Sequence, residues 1–293
     1  MPCSKKLYLT GATGLIGKEI LKPLSEAGFE VYALTIDENN PPLEQVNWIK
    51  GNLFDEAVLA ESFEQIRPDY LLNMAWCTSG DYQTSNLNFD FVRAGLTLLK
   101  HFAKNGGKRA VFAGTCMEYA PKADALSEND LIAPVTPYGV CKNALHQLAD
   151  CFCRQNGISF AYGRIFYVYG RNEHPARLTA SIINSLKAGK PVQINCSHLQ
   201  RDYMYSKDIA SAFTKLLCSD VQGAVNISTG KAIRLADYAR TVAELLGRSD
   251  LLILKEENTN QPLLVEGNPS RLNNEVGFIP AYSLSEALKE IIL

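Results

Sequence analysis

The chain reads as an α/β protein: a doubly wound parallel sheet followed by a smaller, discontinuous carboxyl-terminal lobe. Three observations predict this. Short apolar runs alternate with helical patterns up to Gly170, a glycine-rich turn joins the first run to the first helix, and the alternation breaks off after Gly170. At 293 residues the chain exceeds the usual size of one domain, which leaves room for the lobe.

The expected strands are 5–11, 30–36, 70–76, 109–115 and 158–166. Each is rich in Val, Ile, Leu, Tyr and Phe with little polar alternation, as strands buried on both faces of a parallel sheet are. Between them, 15–28, 55–67 and 89–107 repeat apolar residues at helical spacing, and a further helix begins near Tyr138. Residues 209–228 resume a helix-then-strand pattern. The expected division is therefore a nucleotide-binding domain over 1–170 plus about 206–230, and a lobe from 171–205 and 231–293 that takes the second substrate.

Composition excludes several classes. Hydrophobic residues make up 46% and charged residues 20%, and the formal net charge of -2 offers nothing to nucleic acid or to an anionic membrane. No apolar run approaches a membrane span, and the amino terminus enters its first strand without a signal-peptide pattern, so the expected location is cytoplasmic. The eight cysteines are scattered. Cys151 and Cys153 lack a second pair at zinc-like spacing, so reduced thiols and no metal are expected.

The turn LYLTGATGLIGKEIL sets Gly11, Gly14 and Gly17 between strand and helix. Gly11 permits the tight turn, Gly14 clears a path to a pyrophosphate, and Gly17 lets the helix pack on the sheet. The N–H groups near Leu15 and Ile16 then face the phosphates at the positive helix end. This is the Rossmann-type cofactor turn. An acid at the end of the second expected strand would bind the ribose of NAD, and an Arg there would admit NADP. The chain has Thr35 followed by Ile36 and Asp37, with no Arg or Lys adjacent in sequence, so the choice between NAD and NADP stays open.

TPYGVCK, residues 136–142, places Tyr138 and Lys142 four apart at the start of a helix, where they are neighbours. With the glycine turn and Thr115 at the end of the fourth expected strand, the chain resembles the extended short-chain dehydrogenases/reductases, and within them the nucleotide-sugar epimerase/dehydratase/reductase group. The supporting stretches run in order along the whole chain: TGATGLIG, GNLFD, NMAW, FAGTCMEYA, YGVCK, GRIFYVYG, RDYMYSKD and NPSRL.

The resemblance implies Thr115, Tyr138 and Lys142 as the catalytic set. It implies cofactor contacts from the glycine turn, Thr35, Asn52, Leu53, Met74, Ala75, Tyr138, Lys142 and Phe166. It implies substrate contacts from Thr115, Arg201 and Arg271 and one at the position of Tyr167; His174, in the loop after the fifth expected strand, is a further candidate by its place, and Arg177 a weaker one for the diphosphate. Two positions depart from the family pattern. Asn52 replaces the acid of the adenine-side motif, and Tyr167 stands where an asparagine is usual.

Hydride transfer to or from a sugar carbon needs a proton moved at the attached oxygen. Tyrosine's ordinary pKa of about 10 is far from neutral, and the expectation is that the Lys142 cation lowers it. Cys116 and Met117 stand where family dehydratases place an Asp-Glu pair, which argues against dehydration. Glu118, one position on, falls to the other face and reads as structural.

Reduction of a 4-keto sugar, 4-epimerisation and, less directly, a combined epimerase/reductase using Cys116 with His174 remain. Reduction is preferred because the chain is short, Thr35 replaces the NAD-selecting acid, and GTCMEYA resembles deoxysugar reductases more than galactose epimerases. A cofactor-binding sensor without catalysis is a further class, disfavoured by the retained Tyr138 and Lys142. The expected partner is a nucleotide-diphosphate sugar, and the family implies a homodimer through the Tyr138 helix and the one before it.

Overall fold

In the computed structural model the described residues are 5–38, 40, 42–43 and 45–293. The first half runs β1 (Lys5–Thr10), α1 (Gly17–Glu26), β2 (Phe29–Thr35), β3 (Val46–Lys50), α2 (Glu56–Ile66), β4 (Tyr70–Asn73), α3 (Leu87–Lys104), β5 (Arg109–Thr115), α4 (Pro137–Gln155) and β6 (Ser159–Ile165). It continues through β7 (Tyr167–Tyr169), α5 (Leu178–Lys187), β8 (Val192–Ile194), β9 (Gln200–Arg201), β10 (Tyr203–Tyr205), α6 (Ser206–Cys218) and β11 (Gly223–Ile227). The last elements are β12 (Ile233–Arg234), α7 (Leu235–Leu245), β13 (Leu252–Leu254), β14 (Leu264–Val265), α8 (Ser270–Asn274) and α9 (Leu284–Ile292).

Seven strands form one sheet in the order β3-β2-β1-β4-β5-β6-β11, with every pair parallel. The strand order runs outward from β1 in both directions, and a sheet wound this way opens a crevice between β1 and β4 at the carboxyl ends of the strands. Strand alternation splits the apolar residues between two cores. Leu7, Leu9, Val31 and Ala33 pack with Ile20 and Leu24 of α1 and Phe213 and Leu216 of α6. Tyr8, Leu34, Phe112 and Tyr162 pack with Phe63 of α2, Leu98 and Phe102 of α3 and Leu145 of α4. Burial on both faces is why these strands read as apolar runs.

β3 is absent from the sequence reading. As the edge strand it has one neighbour, and VNWIK is only half-buried, so it carries no apolar run to find. Its register sets Lys50 directly beside Thr35.

A third core joins α5, α7 and α9 to the two-stranded β8-β13 sheet, with Ile182, Leu186, Tyr238, Val242 and Leu288 at its centre. The segment around α8 lies elsewhere: Leu272, Val276 and Phe278 pack into the first core of the large sheet. Asp202, fully buried between the two parts, accepts hydrogen bonds from Thr229 N (2.9 Å), Thr229 Oγ1 (2.6 Å), Gly230 N (2.9 Å) and Gly267 N (3.2 Å). Among the described residues no helix is long and apolar enough to cross a membrane, and the seven cysteines described are free thiols.

Candidate active site

The crevice between β1 and β4 opens into a cavity of about 630 Å³. Its floor is the glycine turn, and each glycine there answers a separate constraint. Gly11 has φ +78°, and a Cβ on it would lie 2.7 Å from the backbone of Met74 and Ala75. A Cβ on Gly17 would lie 1.9 Å from the Gly11 carbonyl, so the start of α1 can close on the turn only without a side chain. A Cβ on Gly14 would meet only the Gly11 carbonyl, at 3.3 Å; the rest of the space it would fill belongs to the cavity.

The Ile16 cap makes no side-chain hydrogen bond to α1, so the positive helix end is free to face an anion. Leu15 and Ile16 line the cavity beside it. A cradle of this shape at an uncapped helix end fits a dinucleotide pyrophosphate. Thr10 Oγ1 donates to Asn73 Oδ1 at 2.6 Å and accepts from Ala75 N at 3.3 Å, which ties the ends of β1 and β4 together beneath it.

At the far end, Thr115 closes β5 and Tyr138 and Lys142 stand on the first two turns of α4. Thr136 caps α4 by accepting from Gly139 N at 3.1 Å, with Pro137 in the first turn. Gly139 packs where a Cβ would come 2.5 Å from the Met117 carbonyl, so α4 approaches the end of β5 closely. The result is that Thr115, Tyr138 and Lys142 all line the cavity, with the Thr115 side chain beside the Tyr138 phenol. Lys142 Nζ donates to the Ala113 carbonyl at 2.8 Å.

The electrostatic expectation for this pair is corrected. Burial pushes the Tyr138 phenol well above its ordinary range, with the Thr115 side chain only partly opposing it. Burial also draws Lys142 down to about 7, opposed by Glu118. Lys142 Nζ lies 5.9 Å from the Tyr138 ring centre, and desolvation outweighs the pull between them. The groups of this chain hold Tyr138 as a protonated phenol.

Glu118 is buried behind the site rather than in it. Its Oε1 accepts from Thr115 N at 2.9 Å and from the Tyr162 hydroxyl at 3.0 Å, and its Oε2 pairs with Arg164 Nε at 3.0 Å. This is the structural role expected of it. Cys116 and Met117 line the cavity, and burial pushes the Cys116 thiol up to about 12, away from acid-base use near neutrality.

The other expected contacts divide. Met74, Phe166, Tyr167, His174 and Arg177 line the cavity. Thr35 is buried at the end of β2, its Oγ1 accepting from Asp37 N at 3.0 Å. Lys50 stands next to it, paired with Glu38 at 2.5 Å, a cation that sequence order conceals. Asn52 Oδ1 accepts from Phe54 N at 3.0 Å, Leu53 packs against the second core, and Ala75 supports the turn; none of the three lines the cavity.

Neither Arg201 nor Arg271 lines it. Arg201 is 2% exposed and donates to the carbonyls of Gln200 (2.8 Å) and Pro262 (2.9 Å) and to Gln261 Oε1 (3.1 Å). Arg271 ties α8 to β11 through the Ala224 and Gln222 carbonyls and pairs with Glu275 at 2.7 Å. The guanidinium that does line the cavity is Arg177, which donates to the Thr78 carbonyl at 3.1 Å.

Two aromatic residues absent from the expected site stand at its centre. Trp76 lies 4.0 Å under the Lys142 ammonium and edge-on to Tyr138, with ring centres 6.0 Å apart. Tyr82 meets Tyr138 edge-on at 5.0 Å. Trp76 ends the NMAW stretch just past β4, so its position was available from the sequence. Tyr82 sits in an irregular segment with no pattern to mark it.

The model of the NAD dependent epimerase/dehydratase family matches residues 7–228. The chain belongs to that family. An epimerase/dehydratase of this kind works with a nicotinamide dinucleotide, in keeping with the cradle at Gly14. Among curated proteins, the chain is similar to an uncharacterised UDP-glucose epimerase, YtcB, of Bacillus subtilis, at 24% identity over 97% of this chain and 95% of the relative. It is also similar to a dTDP-6-deoxy-L-talose 4-dehydrogenase (NAD(+)) of Aggregatibacter actinomycetemcomitans, at 26% identity over 86% and 93%. Among solved structures, UDP-glucose 4-epimerase of Thermotoga maritima with UDP-glucose superposes with a TM-score of 0.89 at 21% identity, covering 98% of this chain and 97% of that one. That likeness shows the shared fold.

Proposed function

We propose that this epimerase/dehydratase-family chain catalyses hydride transfer at C4 of a nucleotide-activated sugar, in the direction of 4-keto reduction. The observation that carries the reading is the placing of the buried Tyr138 beside Thr115 and Lys142 in one cavity with the glycine turn. A bound nicotinamide dinucleotide supplies the hydride. Tyr138 supplies the proton: as a phenol it is already the acid that a carbonyl oxygen needs as it becomes a hydroxyl. Thr115 hydrogen-bonds the same oxygen and keeps it in line. Gly14 and the start of α1 hold the pyrophosphate, and Lys142 holds the cofactor beside Tyr138. Arg177 is placed to pair with the substrate diphosphate through its guanidinium fork.

The second reading is 4-epimerisation of a UDP-sugar. The epimerase activities of similar proteins favour it, and it needs the same three residues with Tyr138 first acting as base. The positions of Cys116 and Met117 speak against dehydration, since neither supplies a carboxylate.

The test is a panel of 4-keto-6-deoxy nucleotide sugars with NADPH or NADH, followed by nicotinamide absorbance. Consumption is the expected outcome. Interconversion of UDP-glucose and UDP-galactose without net consumption would replace reduction by epimerisation, and inertness with tight dinucleotide binding would leave a sensor. Tyr138→Phe is expected to lower turnover by about 10²- to 10⁴-fold, the usual contribution of such a proton transfer, while dinucleotide affinity stays unchanged. Near-wild-type turnover would refute the role given to Tyr138.

A further inference from the structure

Lys142 is 4% exposed. An ammonium has three protons to donate, and among the described residues the hydrogen bond it makes is to the Ala113 carbonyl, at 2.8 Å. Burying a cation so sparsely bonded is costly. Glu118, in the turn after β5, is the carboxylate that acts on Lys142, yet it is already matched by Arg164 at 3.0 Å. Tyr162, from β6, donates to the Lys142 carbonyl at 2.9 Å and leaves the ammonium alone. Burial pushes the Tyr138 phenol on α4 and the Cys116 thiol on the turn upward, so neither supplies an anion.

What faces the ammonium is the Trp76 indole, 4.0 Å from Nζ to the ring centre. That ring is fixed from several sides. Its Nε1 donates to Asn88 Oδ1 at 2.8 Å, and Asn88, 2% exposed, is itself held by the carbonyls of Tyr82 (2.7 Å) and Ser85 (2.8 Å). Phe91 of α3 stacks on it at 5.0 Å and 20°. Indole is the best aromatic partner for a cation, and desolvation strengthens the attraction.

We propose that Trp76 is a positioning residue whose indole face holds the Lys142 ammonium charged and in place beside Tyr138. The inference rests on the hydride-transfer reading for the use made of Lys142, but its geometry stands without it. Without the indole, the buried amine would lose its main stabilising contact and titrate at lower pH.

The chain has two tryptophans, so Trp48→Phe leaves Trp76 as the sole indole emitter. In that background, emission followed from about pH 6 to about pH 10, the span between a buried and an ordinary lysine, is expected to show one transition that Lys142→Met removes. Flat emission, or a transition that survives Lys142→Met, overturns the proposal. In turnover, Trp76→Leu is expected to move the limb of the pH-rate profile that reports Lys142 down by about one pH unit, with Trp76→Phe restoring most of it. A Trp76→Leu profile coincident with wild type also overturns the proposal. Should Trp76→Leu fail to fold, Trp76→Phe is expected to show a smaller downward shift, and none counts against it. If no substrate on the panel turns over, the hydride-transfer reading fails while the emission titration still decides the role of Trp76.

Discussion

Thr115, Tyr138 and Lys142 are legible as a set through the family resemblance, and helical spacing adds that Tyr138 and Lys142 are neighbours. The direction of their pKa shifts is not. Spacing says that Tyr138 and Lys142 are neighbours; it is silent about how little water reaches either, and burial is what sets both toward their neutral forms. This has a measurable consequence for stability. The folded-state pKa of Lys142, about 7, lies below its ordinary 10.5. Between those values the unfolded chain binds more protons than the folded one, so stability rises with pH across that window. Below about 7 the full penalty is present. Lys142→Met is therefore expected to be more stable than wild type near pH 6, by on the order of a few kcal/mol at about 1.4 kcal/mol per pKa unit. The gap should close toward pH 10. Urea midpoints at the two pH values check it, and a gap independent of pH would contradict the assignment.

The glycine turn separates folding from binding between two positions three residues apart. Gly17→Ala puts a Cβ 1.9 Å from the Gly11 carbonyl and 2.7 Å from Ala12, backbone that can yield only if α1 moves. Loss of dinucleotide binding and a lower melting temperature are expected together. Gly14→Ala meets one carbonyl at 3.3 Å and otherwise enters the cavity. It should melt near wild type and bind the dinucleotide at least about tenfold more weakly, since a methyl group occupies the phosphate approach. Calorimetric melting and binding titrations on the two variants distinguish the cases; equal melting losses would show that Gly14 serves the fold as well. β3 is the converse case. An edge strand needs only half an apolar pattern, so VNWIK passes unnoticed in the sequence, and with it the placement of Lys50 beside Thr35.

The seven-stranded order is a property of the whole molecule that the alternation of elements foreshadows, because parallel strands joined by right-handed crossovers have few ways to wind. The expected homodimer belongs to the same scale. Phe89 on α3 and Val140 and Leu148 on α4 are 60%, 48% and 48% exposed, on the two helices proposed to meet their copies. Leu148→Glu is expected to shift the molecule toward monomer in sedimentation, and a wild-type chain that sediments as a monomer would remove the proposal.

The amino-acid sequence by itself determined the parallel α/β class and the glycine turn, which follow from local pattern and stereochemistry, and its family resemblance named Thr115, Tyr138 and Lys142, which the fold gathers in one cavity. Only the tertiary structure decided which cations serve the cavity. Arg201 and Arg271 spend their guanidinium protons on backbone carbonyls, Gln261 and Glu275, whereas Arg177 and Lys142 line the cavity. A charged side chain's role depends on what competes for it, and those competitors come from distant parts of the chain: Pro262 for Arg201, Ala224 for Arg271, Trp76 for Lys142.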